Sequence, residues 1–216
     1  MRKQFVIIGC GRFGSSVAME LVRLGAEVLV IDEHEDVIQH IADHVTHAVQ
    51  ADATDETTIK ALGLRNFDVA VVSMGGNLQS SILVTVMLKE VGVKKVITKA
   101  QSDLHGKVLY KVGADMVIFP EKEMGIRLAN SLASDNILEY IQLSDDYSIM
   151  ELVVLDEWIG KDFVELNLRS RFNINVIAIK ENEQITLVLS PDYKIKAKDV
   201  LMVIGKNEDL EKLKRD

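Results

Sequence analysis

Phe5-Val6-Ile7-Ile8-Gly9-Cys10-Gly11-Arg12-Phe13-Gly14 is the stretch whose reading decides the fold. Four apolar residues without a polar break read as a buried strand, and three glycines follow at G-x-G-x-x-G spacing. Beyond them, residues 15–24 carry Val17, Leu21 and Leu24 at helical spacing. In a strand–turn–helix the three glycines do different things. Gly9 permits the tight turn, Gly11 lets backbone approach a pyrophosphate, and Gly14 allows close helix–strand packing. The helix N-terminus adds unpaired N–H groups and a partial positive charge. A second apolar run, 28–31, ends at Asp32, about 20 residues downstream, where a carboxylate can accept from a ribose hydroxyl. The stretch therefore predicts a nucleotide site.

Working outward, strand and helix patterns alternate with short connections. Strands are expected at 28–32, 48–51, 69–73, 96–99 and 116–119, with helices at 34–41, 56–62 (capped by Asp55 or Thr54), 78–91 and 104–112. Continuous apolar strands between amphipathic helices imply a parallel sheet covered on both faces, the doubly wound Rossmann-type α/β architecture. After residue 120 the pattern changes. Residues 123–132 read as a helix and 137–143 as an extended crossover. Shorter strands follow at 150–155, 174–179, 185–189 and 200–204, with Glu181-Asn182-Glu183-Gln184 as a hairpin link and a short helix at 208–214. Two domains are expected: a nucleotide-binding lobe over 1–134, and a crossover plus smaller α+β lobe over 135–216.

Bulk properties narrow the function. The chain has 216 residues, 48% hydrophobic and 27% charged, which suits a globular protein with few irregular linkers. A net charge of −8, with 5% aromatics and no basic stripe, disfavours nucleic acid as the ligand. No apolar run approaches the ~20 residues that span a bilayer, so any membrane role is expected to come through a partner. Cys10 is the single cysteine, which excludes a disulfide within the chain and fits a cytoplasmic protein. It reads as a small apolar residue of the glycine turn.

Enzyme chemistry finds little support. A dehydrogenase needs a proton donor and a substrate clamp beside its cofactor, yet all five histidines (His34, His40, His44, His47 and His105) lie in the first lobe. No HExxH, GxSxG or Tyr-x-x-x-Lys pattern occurs. Arg12, between the second and third glycines, is either a solvated arginine or a guanidinium that reaches terminal phosphates bidentately. Glu121, after Pro120, is either a helix N-terminal acid or a carboxylate placed for a divalent cation against phosphate. Asp52 either meets an adenine edge or caps a turn. An NAD(H)-dependent oxidoreductase or redox sensor stays open as the alternative, because Asp32 suits NAD.

Together these residues resemble the RCK (regulator of potassium conductance, TrkA-N) family. The matching features are the glycine stretch with Arg12, Asp32, Ala51-Asp52-Ala53-Thr54, Val96-Ile97-Thr98-Lys99-Ala100 and Phe119-Pro120-Glu121-Lys122-Glu123-Met124-Gly125. The second lobe resembles the RCK-C (TrkA-C) domain, and the nearest likeness is to cytosolic Ktr-type regulatory subunits of bacterial potassium uptake systems. The resemblance implies a homo-octameric ring docked on a membrane potassium-translocating dimer, peripheral to the membrane and switched by ATP/ADP exchange. It implies nucleotide contacts at Gly9, Gly11, Arg12, Phe13, Gly14, Asp32, Asp52, Ala53, Lys99 and Glu121, with Arg12 sensing the γ-phosphate and Glu121 helping to hold Mg²⁺ or another divalent cation. In the second lobe it implies cyclic di-AMP at Leu168, Arg169, Asn175, Val176 and Pro191. A regulator of a potassium efflux channel shares every one of these ligand expectations.

Overall fold

The structure, a computed structural model, describes residues 3–74, 76–182, 184–187 and 190–214. It divides into two compact units, Met1–Glu121 and Lys122–Asp216.

In the first unit β1 (Gln4–Ile8) leads through the glycine turn into α1 (Arg12–Arg23), and β2 (Glu27–Asp32) into α2 (Glu35–Ile41). Then come β3 (His47–Gln50), α3 (Glu56–Ala61), β4 (Val69–Val72), α4 (Leu78–Glu90), β5 (Lys95–Lys99), α5 (Asp103–Lys111) and β6 (Met116–Ile118). The sheet is parallel throughout, in the order β3-β2-β1-β4-β5-β6. This is the doubly wound arrangement expected from the strand pattern. The central strand β1 is flanked by β2 and β4, which leaves Val6, Ile7 and Ile8 at most 1% exposed. Burial of both faces is the physical reason that these strands read as apolar runs rather than alternating ones. Helix starts follow their capping chemistry: Asp55, Asn77 and Ser102 accept from Thr57, Ser80 and His105 N–H at the starts of α3, α4 and α5.

The second unit contains most of α6 (Pro120–Leu132), which begins with proline at its first position, where no N–H is needed. Its sheet is antiparallel, in the order β10-β9-β11-β8-β7, from β7 (Ile137–Gln142), β8 (Tyr147–Val153), β9 (Asn175–Glu181), β10 (Gln184–Thr186) and β11 (Val200–Lys206). Two short helices, α7 (Phe163–Leu166) and α8 (Leu168–Phe172), lie between β8 and β9, and α9 (Asn207–Leu210) follows β11. The core gathers around Trp158, Met150, Leu152, Leu166 and Ile174, all fully buried.

Three sequence expectations change here. Residues 137–143 are not a crossover: β7 pairs antiparallel with β8 as an edge strand, burying Ile137 and Tyr140. The pair α7–α8 was not expected, although Asp162 and Glu165 form a capping box at its start. The strand expected at 185–189 is seen at Gln184–Thr186, and Val188 and Leu189 lie outside the described residues, as does Glu183 of the hairpin link. Asn182 in that link takes φ 47°, a left-handed value that asparagine tolerates.

Gly14 carries the tightest contact of the first unit. A Cβ there would collide with the Gly9 carbonyl oxygen and stand 2.6 Å from Ser73 Oγ. Gly14→Ala is therefore expected to destabilise the chain by about 1–3 kcal/mol, read as a lower midpoint in thermal or denaturant unfolding. An unchanged midpoint would show that α1 can move off β1 at no cost.

Candidate functional site

The cavity follows from topology. Chain crossovers run in opposite directions from β1 and β4, so the loops leaving these neighbouring strands part and open a crevice at their carboxyl ends. A cavity of about 330 Å³ fills that place, lined by Gly9 and Gly11 after β1, Asp32 and His34 after β2, Asp52 and Ala53 after β3, and Ser73 and Asn77 after β4. Gly9 holds φ 84°, and the turn leaves Gly11 as the N-cap of α1 with no side-chain cap. A Cβ on Gly11 would meet nothing within 4 Å. The α1 N-terminus thus presents bare backbone N–H groups with open space before them, the arrangement that receives phosphate.

Two side chains clamp the turn. Asp32 Oδ2 accepts from Cys10 N–H at 2.7 Å, and Oδ1 accepts from His34 N–H at 3.0 Å and faces His34 Nδ1 at 3.0 Å. From the other side, the Ser73 hydroxyl donates to the Gly9 carbonyl. Burial opposes the charge of Asp32, but the bonds from Cys10 and His34 outweigh it and hold the carboxyl below its ordinary range. Cys10 itself is buried, with burial pushing its thiol up, and its Sγ lies 3.3 Å from Ser15 Oγ. That agrees with the reading of a small apolar residue in the turn.

Not every sequence candidate lies in this cavity. Gly9, Gly11, Asp32, Asp52 and Ala53 line it. Gly14 is buried behind the turn. Arg12, Phe13, Lys99 and Glu121 form a separate group: Lys99 Nζ lies 5.9 Å from the Phe13 ring centroid and pairs with the Glu121 carboxylate. The Lys99 side chain is 12% exposed and that of Glu121 is 70% exposed, so the cation is the desolvated partner. Glu121 is held below the usual carboxylate range by Lys99 first, with Arg12 contributing charge. Asp52 caps a turn, Oδ1 accepting from Thr54 N–H and Oγ1 at 2.8 and 2.7 Å, while also facing the cavity. The turn-cap reading is met.

Among the described residues no group of three His, Cys, Asp or Glu side chains could hold a metal ion. His40, His44 and His47 are exposed, as a solvated face requires. His105 is buried between α4 and α5, where Gln101 N–H donates to its Nδ1 and Ser81 Oγ lies 2.9 Å from its Nε2. Burial lowers its pKa, so it stays neutral and structural. In the second unit Leu168 packs into the core, Arg169 and Asn175 are exposed on α8 and β9, Val176 is half-buried, and Pro191 is exposed in a turn. Sequence reasoning missed His34 and Ser73 as cavity residues. Ser73 was visible as the polar end of an apolar strand, but His34 carried no signal beyond its place two residues after Asp32.

A parallel sheet of this order, with a glycine turn and bare helix N-terminus at its switch point, defines a Rossmann-type nucleotide-binding unit, here followed by an antiparallel β lobe. Residues 5–120 match the TrkA-N domain and residues 149–216 the TrkA-C domain, and the chain belongs to this RCK (TrkA-N/TrkA-C) family. It is 42% identical over 214 residues to Ktr system potassium uptake protein A of Bacillus subtilis, covering 99% of this chain and 96% of the relative. It is 40% identical over 215 residues to Ktr system potassium uptake protein C of the same organism, covering 100% and 97%. Among solved structures, the GsuK channel superposes over 100% of this chain with a TM-score of 0.72 at 17% identity, a likeness of fold. This chain spans 40% of that channel's length. No helix among the described residues is long and apolar enough to cross a membrane.

The clamp on the turn is testable. In Asp32→Asn an amide N–H₂ would face at least one of the donors that the carboxylate now accepts from, at an expected cost of about 1–3 kcal/mol. The folded pKa of Asp32 is depressed, so the carboxylate's stabilisation is complete above its unfolded value and is lost as pH falls through the folded one. Unfolding midpoints for the two proteins should therefore differ at pH 7 and converge as pH falls below the ordinary carboxylate range. A constant gap across that range would assign the effect to something other than the charge.

Proposed function

We propose that this chain is a nucleotide-gated regulatory subunit of a potassium uptake transporter, cytoplasmic and peripheral to the membrane through its partner. ATP and ADP exchange at the first-lobe cavity, and the exchange switches a homo-octameric ring that controls a membrane potassium-translocating dimer. The observation that carries the reading is the bare α1 N-terminus opening into a cavity whose far wall is Asp32. Phosphate suits the first and a ribose the second. The relatives' names supply the transport context, since two proteins at 40–42% identity are Ktr system potassium uptake proteins.

The switch works by difference. A ligand shifts an equilibrium only by its differential affinity for the two states. Arg12 is exposed at the first position of α1, beside the cavity's phosphate end. A guanidinium that reaches a γ-phosphate in one ring state and loses it with ADP supplies such a difference, about 1.5–3 kcal/mol per charge-assisted bond. Glu121 pairs with Lys99, feels the charge of Arg12 and is mostly exposed, so an added divalent cation would be shared with phosphate or with a second subunit. In the second lobe, the proposed cyclic di-AMP residues are Leu168 and Arg169 on α8, Asn175 and Val176 at the start of β9, and Pro191. The nucleotide is taken as a regulatory ligand and not a reactant on the strength of the relatives' names, which are those of potassium uptake proteins. NAD(H) is the second ligand to test, because Asp32 presents a carboxylate to any ribose.

Two variants test the proposal. Arg12→Ala should keep ADP binding and lose about tenfold or more of any ATP-over-ADP preference, read by calorimetric titration; unchanged discrimination removes Arg12 from the switch. Glu121→Gln should weaken the divalent-cation dependence of ATP-driven transport when the chain is reconstituted with its membrane partner in liposomes. An unaltered dependence places the cation elsewhere.

A further inference from the structure

We propose that His34 is a proton-operated gate at the ribose end of the cavity, covering the Asp32 carboxylate until the ribose hydroxyls of a nucleotide displace its ring. The inference rests on the reading of the first lobe as a nucleotide site and adds a residue and a regulation to it.

The geometry leaves little of Asp32 for a ligand. One oxygen is committed to Cys10 N–H inside the glycine turn. The other accepts from His34 N–H and faces the His34 ring, and the Asp32 side chain is only 10% exposed. A ribose diol approaching this carboxylate therefore meets an imidazole already in its place. The ring is free to leave: the His34 side chain is 65% exposed and makes no capping bond at the start of α2, although His34 occupies the N-cap position. Swinging it out breaks one contact and leaves the helix and the His34 N–H bond intact.

Charge decides how firmly the gate is held. The groups facing His34 are all acidic: Asp32 at the end of β2, Glu33 in the connection and Asp36 on α2. Their effect, led by the Asp32 hydrogen bond, raises the His34 pKa above its ordinary 6.5. The ring can donate from Nδ1 in either charge state, but only the imidazolium adds its charge to the contact. When ribose takes Asp32, the ring loses its main partner and its pKa falls back. Nucleotide binding then releases a proton between pH 6.5 and the raised value, and by linkage affinity rises with pH across that window. Below the window the ring stays protonated in both states and the dependence ends. For so exposed a pair the expected change is about two- to fivefold in affinity. The gate makes the nucleotide site weaker in acid, with no change at the phosphate end.

The test is calorimetric titration of the full chain with ADP from pH 6 to pH 8, in two buffers of different ionisation enthalpy, for the unaltered protein, His34→Gln and His34→Ala. The titration of ADP's own phosphate contributes equally to all three. The unaltered protein should release a fraction of a proton near pH 7 and lose about two- to fivefold more affinity at pH 6 than either variant. Both variants should bind more tightly than it does at pH 6. The same pH dependence in all three proteins overturns the gate and leaves the nucleotide reading standing. Weaker binding by both variants at every pH also overturns it, making His34 a ligand contact in place of a competitor. Failure of the unaltered protein to bind ADP, ATP or NADH at any pH overturns the functional reading, and the gate with it.

Discussion

The hydrogen bond from Cys10 N–H to the Asp32 carboxylate is the contact on which the first lobe's site depends. It ties the turn leaving β1 to the end of β2, while the Ser73 hydroxyl ties the same turn to the end of β4. With both neighbours attached, the turn cannot relax outward, and Gly14 seats α1 against it where any side chain would collide. The direction of the α1 axis, and so of its unpaired N–H groups, is fixed by these three contacts together. A carboxylate in this place thus works twice: it builds the turn from inside and forms the cavity wall facing outward.

The cavity and the charged group beside it differ physically. At the cavity the Asp32 carboxylate already accepts from the Cys10 and His34 N–H groups and has little unused capacity. The separate group has a desolvated Lys99 whose partner, Glu121, stands in solvent. Lys99 sits against the Phe13 ring, so the residue following Arg12 also holds the lysine in place. An ammonium and a guanidinium thus gather at one place beside Glu121, and a hydrogen-bonded carboxylate stands at the other.

Much of this was legible in the residues. The central strands of the first lobe, buried on both faces, have no alternation to blur them, and the cap expected at Asp55 or Thr54 is Asp55. In the second lobe the signal weakens because strands with one solvated face alternate between buried and outward residues, as in β8 and β11, rather than running apolar. Residues 137–143 read as a connection although β7 is mostly apolar, because its place as an edge strand is set by antiparallel pairing with β8 that no local pattern announces. The four- and five-residue helices α7 and α8 are too short to show a period, and only the Asp162–Glu165 capping box announced them. Asp52 shows the limit from the other side: its sequence readings were an adenine contact or a turn cap, and the fold shows the cap on a side chain that also lines the cavity.

The sequence by itself determined the class of the first lobe and the address of its site. A glycine spacing between an apolar strand and an amphipathic helix has few physical solutions, and an acid at the end of the next strand belongs to the same solution. The tertiary structure alone decided which candidates share a cavity. Arg12 is adjacent to Gly11 in sequence, yet it groups by charge with Glu121, which lies far along the chain and pairs with Lys99. His34, silent in sequence, covers the carboxylate that the motif had marked as available. The reason is that a motif specifies backbone geometry, which is local, whereas occupancy of a hydrogen-bonding group depends on every side chain that the fold brings within about 3 Å of it.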